Sequence, residues 1–119
     1  MRCVIVDDDE GFLGVARELL ERGGLTVAGV AHNGAEAVEC ARALQPDVML
    51  IDIRLGEESG FEAARRLAGN GQAPTLIMIS THAGEDYADL ITGSPAVGFM
   101  AKADLSAAAI RRMLGADPR

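Results

Sequence analysis

Three features of the chain predict an α/β fold: a doubly wound five-stranded parallel sheet with helices on both faces, a three-layer sandwich. Apolar runs at residues 3–6, 48–51 and 76–79 lack polar alternation, as strands buried on both faces do. Segments with apolar residues at helical spacing lie between the runs, so strand and helix alternate five times. Glycine, proline and helix-cap residues punctuate nearly every junction.

Taken in order, residues 2–6 form the first strand. Phe12, Val15, Ala16, Leu19 and Leu20 recur at helical spacing, and Gly23 and Gly24 supply a stop. Residues 26–30 form a second short strand. Asn33 followed by Glu36 reads as a cap with an acidic partner, leading into Ala37, Val38, Ala41 and Leu44, and Pro46 closes that helix. The strand at 48–51 follows. Ser59 with Glu62 repeats the cap pattern before Ala63, Ala64 and Leu67, and glycines at 69 and 71 end the third helix. Pro74 introduces the strand at 76–79, which stops at Ser80 and Thr81. Residues 84–91 make a weakly patterned fourth helix, broken between Gly93 and Pro95. A fifth strand at 97–100 ends before Lys102, and Asp104 is expected to cap a last helix through Leu105, Ala108, Ala109, Ile110, Met113 and Leu114.

A chain of 119 residues has room for one domain, spanning 1–119, and one core. With 3% aromatics that core is built from Ala, Val, Ile, Leu and Met. A net charge of −7 disfavours direct nucleic-acid binding, which needs clustered Lys and Arg, and suits a cation or a basic partner face. No apolar run approaches the roughly 20 residues of a membrane span, so no membrane contact is expected. The chain starts directly on a strand, without the pattern of a secretory signal. Cys3 lies in an apolar run and Cys40 in a helical pattern, neither near a metal-ligand spacing, as reduced cysteines do. The composition is cytoplasmic.

In a parallel sheet every strand delivers its last residue to one edge, where ligands gather. Those ends are Asp7, Asp8 and Asp9 from the first strand, Asp52 from the third, Ser80 and Thr81 from the fourth and Lys102 from the fifth. The second strand contributes nothing reactive. Singly, each residue has an ordinary use as turn former, cap or surface charge; in conjunction they form an acidic site. Carboxylates about 4 Å apart at an effective dielectric near 20 repel by about 4 kcal/mol a pair, a cost that a divalent cation removes. Hard oxygen ligands completed by water and phosphate suit Mg²⁺. A metal and an ammonium around an acid are what phosphoryl transfer to a carboxylate requires.

These residues resemble the response-regulator receiver domain of two-component signalling, similar to CheY, over essentially the whole chain. Val6-Asp7-Asp8, Asp52, Ser80 and Lys102 at four strand ends carry the likeness, with the spacing from Asp52 to the loop glycine Gly60. The resemblance implies a flavodoxin-like, CheY-like (βα)5 fold and a signalling module rather than an enzyme. It implies that Asp52 accepts a phosphoryl group from a sensor histidine kinase, with Ser80 and Lys102 contacting that group. Asp8 would bind Mg²⁺ directly, Asp7 mainly through water, and Arg54 through its backbone carbonyl. Phe99 would be the switch aromatic that follows Ser80 inward. The implied readout is the face of the fourth helix, fifth strand and fifth helix, serving a downstream effector, a transcription regulator among them, or a homodimer.

Three positions depart from the family's habit. Gly56 stands where proline is frequent, so the loop beyond Asp52 is expected to be more mobile. Thr81 is β-branched where a small residue is usual, and is expected to slow access to the acceptor. Ala103 replaces the proline that often follows the lysine, excluding a cis-proline switch there. Two other functions compete. In a haloacid-dehalogenase-type phosphatase, Asp7 would be the nucleophile and Asp9 the acid/base, leaving Asp52 without a role. A receiver-like interaction module that is never phosphorylated would leave the set of acids, hydroxyl and lysine unexplained.

Overall fold

The computed structural model describes residues 1–69, 74–81 and 88–115. Five strands form one parallel sheet: β1 (Arg2–Val6), β2 (Thr26–Ala31), β3 (Val48–Asp52), β6 (Thr75–Ser80) and β7 (Gly98–Ala101), in the order β2-β1-β3-β6-β7. Two further short strands, β4 (Arg54–Leu55) and β5 (Glu58–Ser59), make a separate hairpin directly after β3. The helices are α1 (Glu10–Arg22), α2 (Gly34–Leu44), α3 (Gly60–Ala68), α4 (Ala88–Thr92) and α5 (Ala107–Met113). Among the described residues, no helix is long and apolar enough to cross a membrane.

The apolar runs are explained by burial on both faces. Alternate residues of β1, β3 and β6 enter opposite layers. Cys3, Ile5, Val48, Leu50, Ile77 and Ile79 pack with Leu13, Ala16 and Leu20 of α1 and with Ala107 and Ile110 of α5. Val4, Val6, Met49, Ile51, Leu76 and Met78 pack with Ala37 of α2 and with Phe61, Ala63, Ala64 and Leu67 of α3. The sheet thus divides the expected single core into two. Each fully buried Val, Leu or Ile contributes about 2 kcal/mol, so the central strands leave little freedom to slip.

Most predicted junctions hold. Gly23 closes α1 as expected, while its cap, Asp9, accepting from the Gly11 and Phe12 amides, was not foreseen. Asn33 caps α2 through the Glu36 amide; the Glu36 carboxylate reaches back to the His32 amide, one residue before the cap. Ser59 caps α3 through Phe61 N–H, whereas Glu62 pairs with Arg65. Cys3 is buried and Cys40 half-buried, both as free thiols, and burial pushes the Cys3 thiol up to about 11.

Two element starts differ from expectation. The last helix is capped by Ser106, which accepts from Ala109 N–H at 3.0 Å, not by Asp104. Asp104 ends a 3₁₀ turn (Lys102–Asp104), and Leu105 is extended so that its side chain enters the core, which delays the helix. The fifth main-sheet strand starts at Gly98, leaving Val97 57% exposed. Gly56 heads a two-residue hairpin turn at φ 64°, as a turn with Gly in its first position requires. Of the expected fourth helix, residues 84–87 lie outside the described residues, and Ala88–Thr92 is helical. The glycine at 71 also lies outside them.

Candidate functional site

Strand register brings the predicted residues together. β1 pairs with β3 so that Val6 faces Ile51, which places Asp7 beside Asp52 one step on. β3 pairs with β6 through Asp52 and Ile79, so Ser80 ends one residue beyond. β6 pairs with β7 through Ser80 and Ala101, and Lys102 follows. The order β2-β1-β3 reverses the winding between β1 and β3, the point at which open α/β sheets leave a crevice. A cleft of about 350 Å³ lies there, lined by Asp7, Asp8, Asp9, Asp52, Arg54, Gly56, Ser80, Thr81 and Lys102.

Asp7 is fully buried, Asp52 is 8% exposed and Ser80 is 4% exposed, whereas Asp8 and Thr81 are open to solvent. Asp7, Asp8 and Asp52 each offer a carboxylate oxygen, all within 4.8 Å of one another, a spacing that could hold a metal ion. Lys102, the sole lysine of the chain, answers the buried acids. Its Nζ lies 2.6 Å from Asp7 Oδ2 and 3.3 Å from Asp52 Oδ2. Three carboxylates against one ammonium leave two unbalanced negative charges when all are ionised. Burial pushes the Asp52 carboxyl up, with repulsion from Asp7 adding to it; the Arg54 amide and Lys102 oppose the rise. Burial pulls the Lys102 ammonium down, but its pairing with Asp7 and Asp52 outweighs that and the net direction is upward.

The backbone beyond Asp52 is held tightly. Arg54 N–H donates to Asp52 Oδ1 at 3.3 Å, and Gly60 N–H donates to the Ile53 carbonyl at 2.7 Å. Glu58 ties the hairpin to α2 by accepting from Gly34 N–H at 2.8 Å and pairs with Arg66 of α3 at 3.3 Å. Phe99, the expected switch aromatic, is half-buried against the second core layer. It also lines a larger groove of about 870 Å³ with Met100, Ala101, Asp104, Ala109, Arg112 and Met113, on the β7–α5 side.

Three contacts escaped sequence reasoning. Glu58 is one acid among many on a turn, and nothing local marks its reach to Gly34. His32, just past β2, pairs through its two ring nitrogens with Glu10 and Glu36, so the second strand does deliver a polar cluster. Only the i,i+4 spacing of His32 and Glu36 could have signalled it. Phe12, read as a core position of α1, stands with its ring centroid 4.2 Å from Lys102 Nζ.

The geometry disfavours the phosphatase alternative. Asp7 is sealed from solvent beside Lys102, and Asp9 is engaged as the α1 cap, accepting from Gly11 at 3.0 Å and Phe12 at 3.3 Å. Asp9 is thus occupied where that alternative needs its acid/base.

Comparison with known proteins agrees. The family model described as the response regulator receiver domain matches residues 3–114. A protein-glutamate methylesterase/protein-glutamine glutaminase of Natronomonas pharaonis is 30% identical over 97% of this chain and 36% of its own length. The response regulator GacA of Pseudomonas viridiflava is 31% identical over 86% of this chain and 48% of its own. The chain therefore spans about a third to a half of these relatives. The response regulator domain of Thermotoga maritima CheB superposes with a TM-score of 0.82 at 26% identity, covering 99% of this chain and 98% of that one. The chain belongs to the response-regulator receiver family, the phosphoacceptor modules of two-component signalling.

Proposed function

We propose that Asp52 is the phosphoacceptor of this receiver and that a sensor histidine kinase supplies the phosphoryl group. An Asp52 carboxylate oxygen attacks phosphorus in line; the P–N bond to the donor imidazole breaks, and its electron pair stays on the nitrogen, which takes up a proton. The observation that carries this reading is the convergence of Asp7, Asp8, Asp52, Ser80 and Lys102 on one cleft at the sheet's switch point. Asp7, Asp8 and Asp52 would hold Mg²⁺, Asp8 directly and Asp7 through water, with the Arg54 carbonyl as a further ligand; the small all-oxygen set of carboxylates suits that ion. Bound Mg²⁺ neutralises charge on the phosphoryl oxygens. Lys102 pairs with the same group, Ser80 hydrogen-bonds it, and Thr81 at the rim slows the approach of water.

Phosphorylation adds about two negative charges beside Lys102, favouring the arrangement in which Ser80 and Lys102 close on the group and Phe99 turns inward. The readout is the α4–β7–α5 face, where the groove beside Phe99 offers a binding surface for an effector or a second copy. Residues 1–119 act as one cytoplasmic receiver domain; catalysis, as in the methylesterase relative, belongs to other parts of a regulator. The test is mass spectrometry after acetyl phosphate or beryllofluoride treatment with Mg²⁺. The expected result is one modification on the unaltered chain and none on Asp52→Asn. An unaltered chain that stays unmodified, and shows no Mg²⁺ affinity at millimolar concentration, would favour the unphosphorylated interaction module instead.

A further inference from the structure

Lys102 carries a charge on a flexible four-carbon stem with three ammonium donors. Two directions from that ammonium are taken by Asp7 at 2.6 Å and Asp52 at 3.3 Å. The face of Phe12, 4.2 Å from Nζ to ring centroid, covers a third. The Lys102 side chain is only 11% exposed, so the ring stands where water would otherwise solvate the charge. An ammonium over an aromatic face is attracted by the ring quadrupole, most strongly when desolvated.

Phe12 is itself held by the acids it serves. Asp9 N–H donates to Asp7 Oδ1 at 2.9 Å, and Asp9 Oδ1 accepts from Phe12 N–H at 3.3 Å. Asp7, Asp9, Phe12 and Lys102 thus form a closed circuit of contacts, with the ring seated against the first core layer.

We propose that Phe12 is a positioning residue for phosphoryl transfer: its ring keeps the Lys102 ammonium inside the cleft while the lysine exchanges carboxylate partners for the incoming phosphoryl group. The inference rests on the reading of Asp52 as acceptor. A π-face suits the task because its attraction survives a lateral move of the ammonium, whereas a carboxylate partner would hold it in one place. Without the ring, the stem regains rotamers that point the charge to solvent, and the ammonium is absent for part of the time that a phosphodonor occupies the site.

Because Lys102 is the only lysine, ¹³C-lysine labelling yields a single ε-methylene signal. Ring current is expected to shift that signal upfield in the unaltered chain, with the shift lost in Phe12→Leu and Phe12→Met and kept in Phe12→Tyr. Labelling of Asp52 by acetyl phosphate at saturating Mg²⁺ is expected to slow about fivefold in Phe12→Leu and to recover in Phe12→Tyr. In a Lys102→Met background, Phe12→Leu is expected to change nothing further. An ε-methylene signal indifferent to Phe12→Leu overturns the inference, as does a slowing that persists undiminished without the lysine. An unaltered chain that takes no label sinks the Asp52 reading and this inference with it, whereas label combined with an indifferent lysine signal sinks the inference alone.

Discussion

A Cβ on Gly60 would lie 1.9 Å from the Asp52 carbonyl oxygen. The first residue of α3 is thus pressed against the backbone of the acceptor, and the neighbouring atoms are main chain that cannot rotate away. Gly60→Ala is expected to cost about 3 kcal/mol, the upper range for overpacking, read as a lowered urea midpoint. Because relief must come from Asp52 itself, labelling by acetyl phosphate should fall even at temperatures where the variant is folded.

Lys102 offsets repulsion between two buried carboxylates. Lys102→Met is expected to destabilise the metal-free protein by about 3 kcal/mol, since removing one partner leaves charge uncompensated. Mg²⁺ should then raise the thermal midpoint of the variant more than that of the unaltered chain, because no ammonium competes for Asp7 and Asp52. Scanning calorimetry with and without Mg²⁺ checks both; an equal metal response in the two proteins would contradict the competition.

Glu58 joins the β4–β5 hairpin to the start of α2. Its carboxylate is 31% exposed, so the charge-assisted bond to Gly34 is discounted for screening to about 1 kcal/mol. Glu58→Ala is expected to speed amide exchange at Gly34 and through the hairpin by about fivefold, the factor that this energy corresponds to. Exchange in the central strands should stay unchanged.

His32 titrates above its usual value of 6.5, first through its bond to Glu36 and then through Glu10, while the same bond lowers Glu36 from its usual 4.5. A raised histidine contributes stability that is fully present below its unfolded value and lost as pH rises through the folded one. A lowered glutamate contributes above its unfolded value and loses it as pH falls through the folded one. The α1–α2 tie is therefore strongest at mildly acidic pH, between the two titrations. Proton NMR of the His32 ring should show Glu36→Gln and Glu10→Gln each lowering its pKa; a ring indifferent to both would contradict the pairing.

Much of this protein was legible in its residues because hydrophobic pattern and strand ends are local signals. The runs at 48–51 and 76–79 announce strands buried on both faces, and in a parallel sheet their last residues must share an edge. Asp7, Asp8, Asp52, Ser80 and Lys102 could thus be grouped before any coordinates. The start of the last helix was misplaced because Asp104 and Ser106 are both good caps, and what chooses between them is the burial of Leu105. Nothing local around Gly56 signals the hairpin that closes there through Arg54–Ser59 and Leu55–Glu58 pairing and a clamp onto α2.

By itself the sequence determined the strand–helix alternation, the acidic edge and the family, since each depends on residue type and spacing along the chain. Only the tertiary structure decided which groups touch: Lys102 between Asp7 and Asp52, Phe12 over the ammonium, Glu58 on Gly34 and His32 between Glu10 and Glu36. These pairs are set by strand order, by register and by how each helix rolls on the sheet, so they join residues up to 95 positions apart (Asp7 to Lys102). Periodicity says which face a side chain takes; the packed fold chooses its partner on that face.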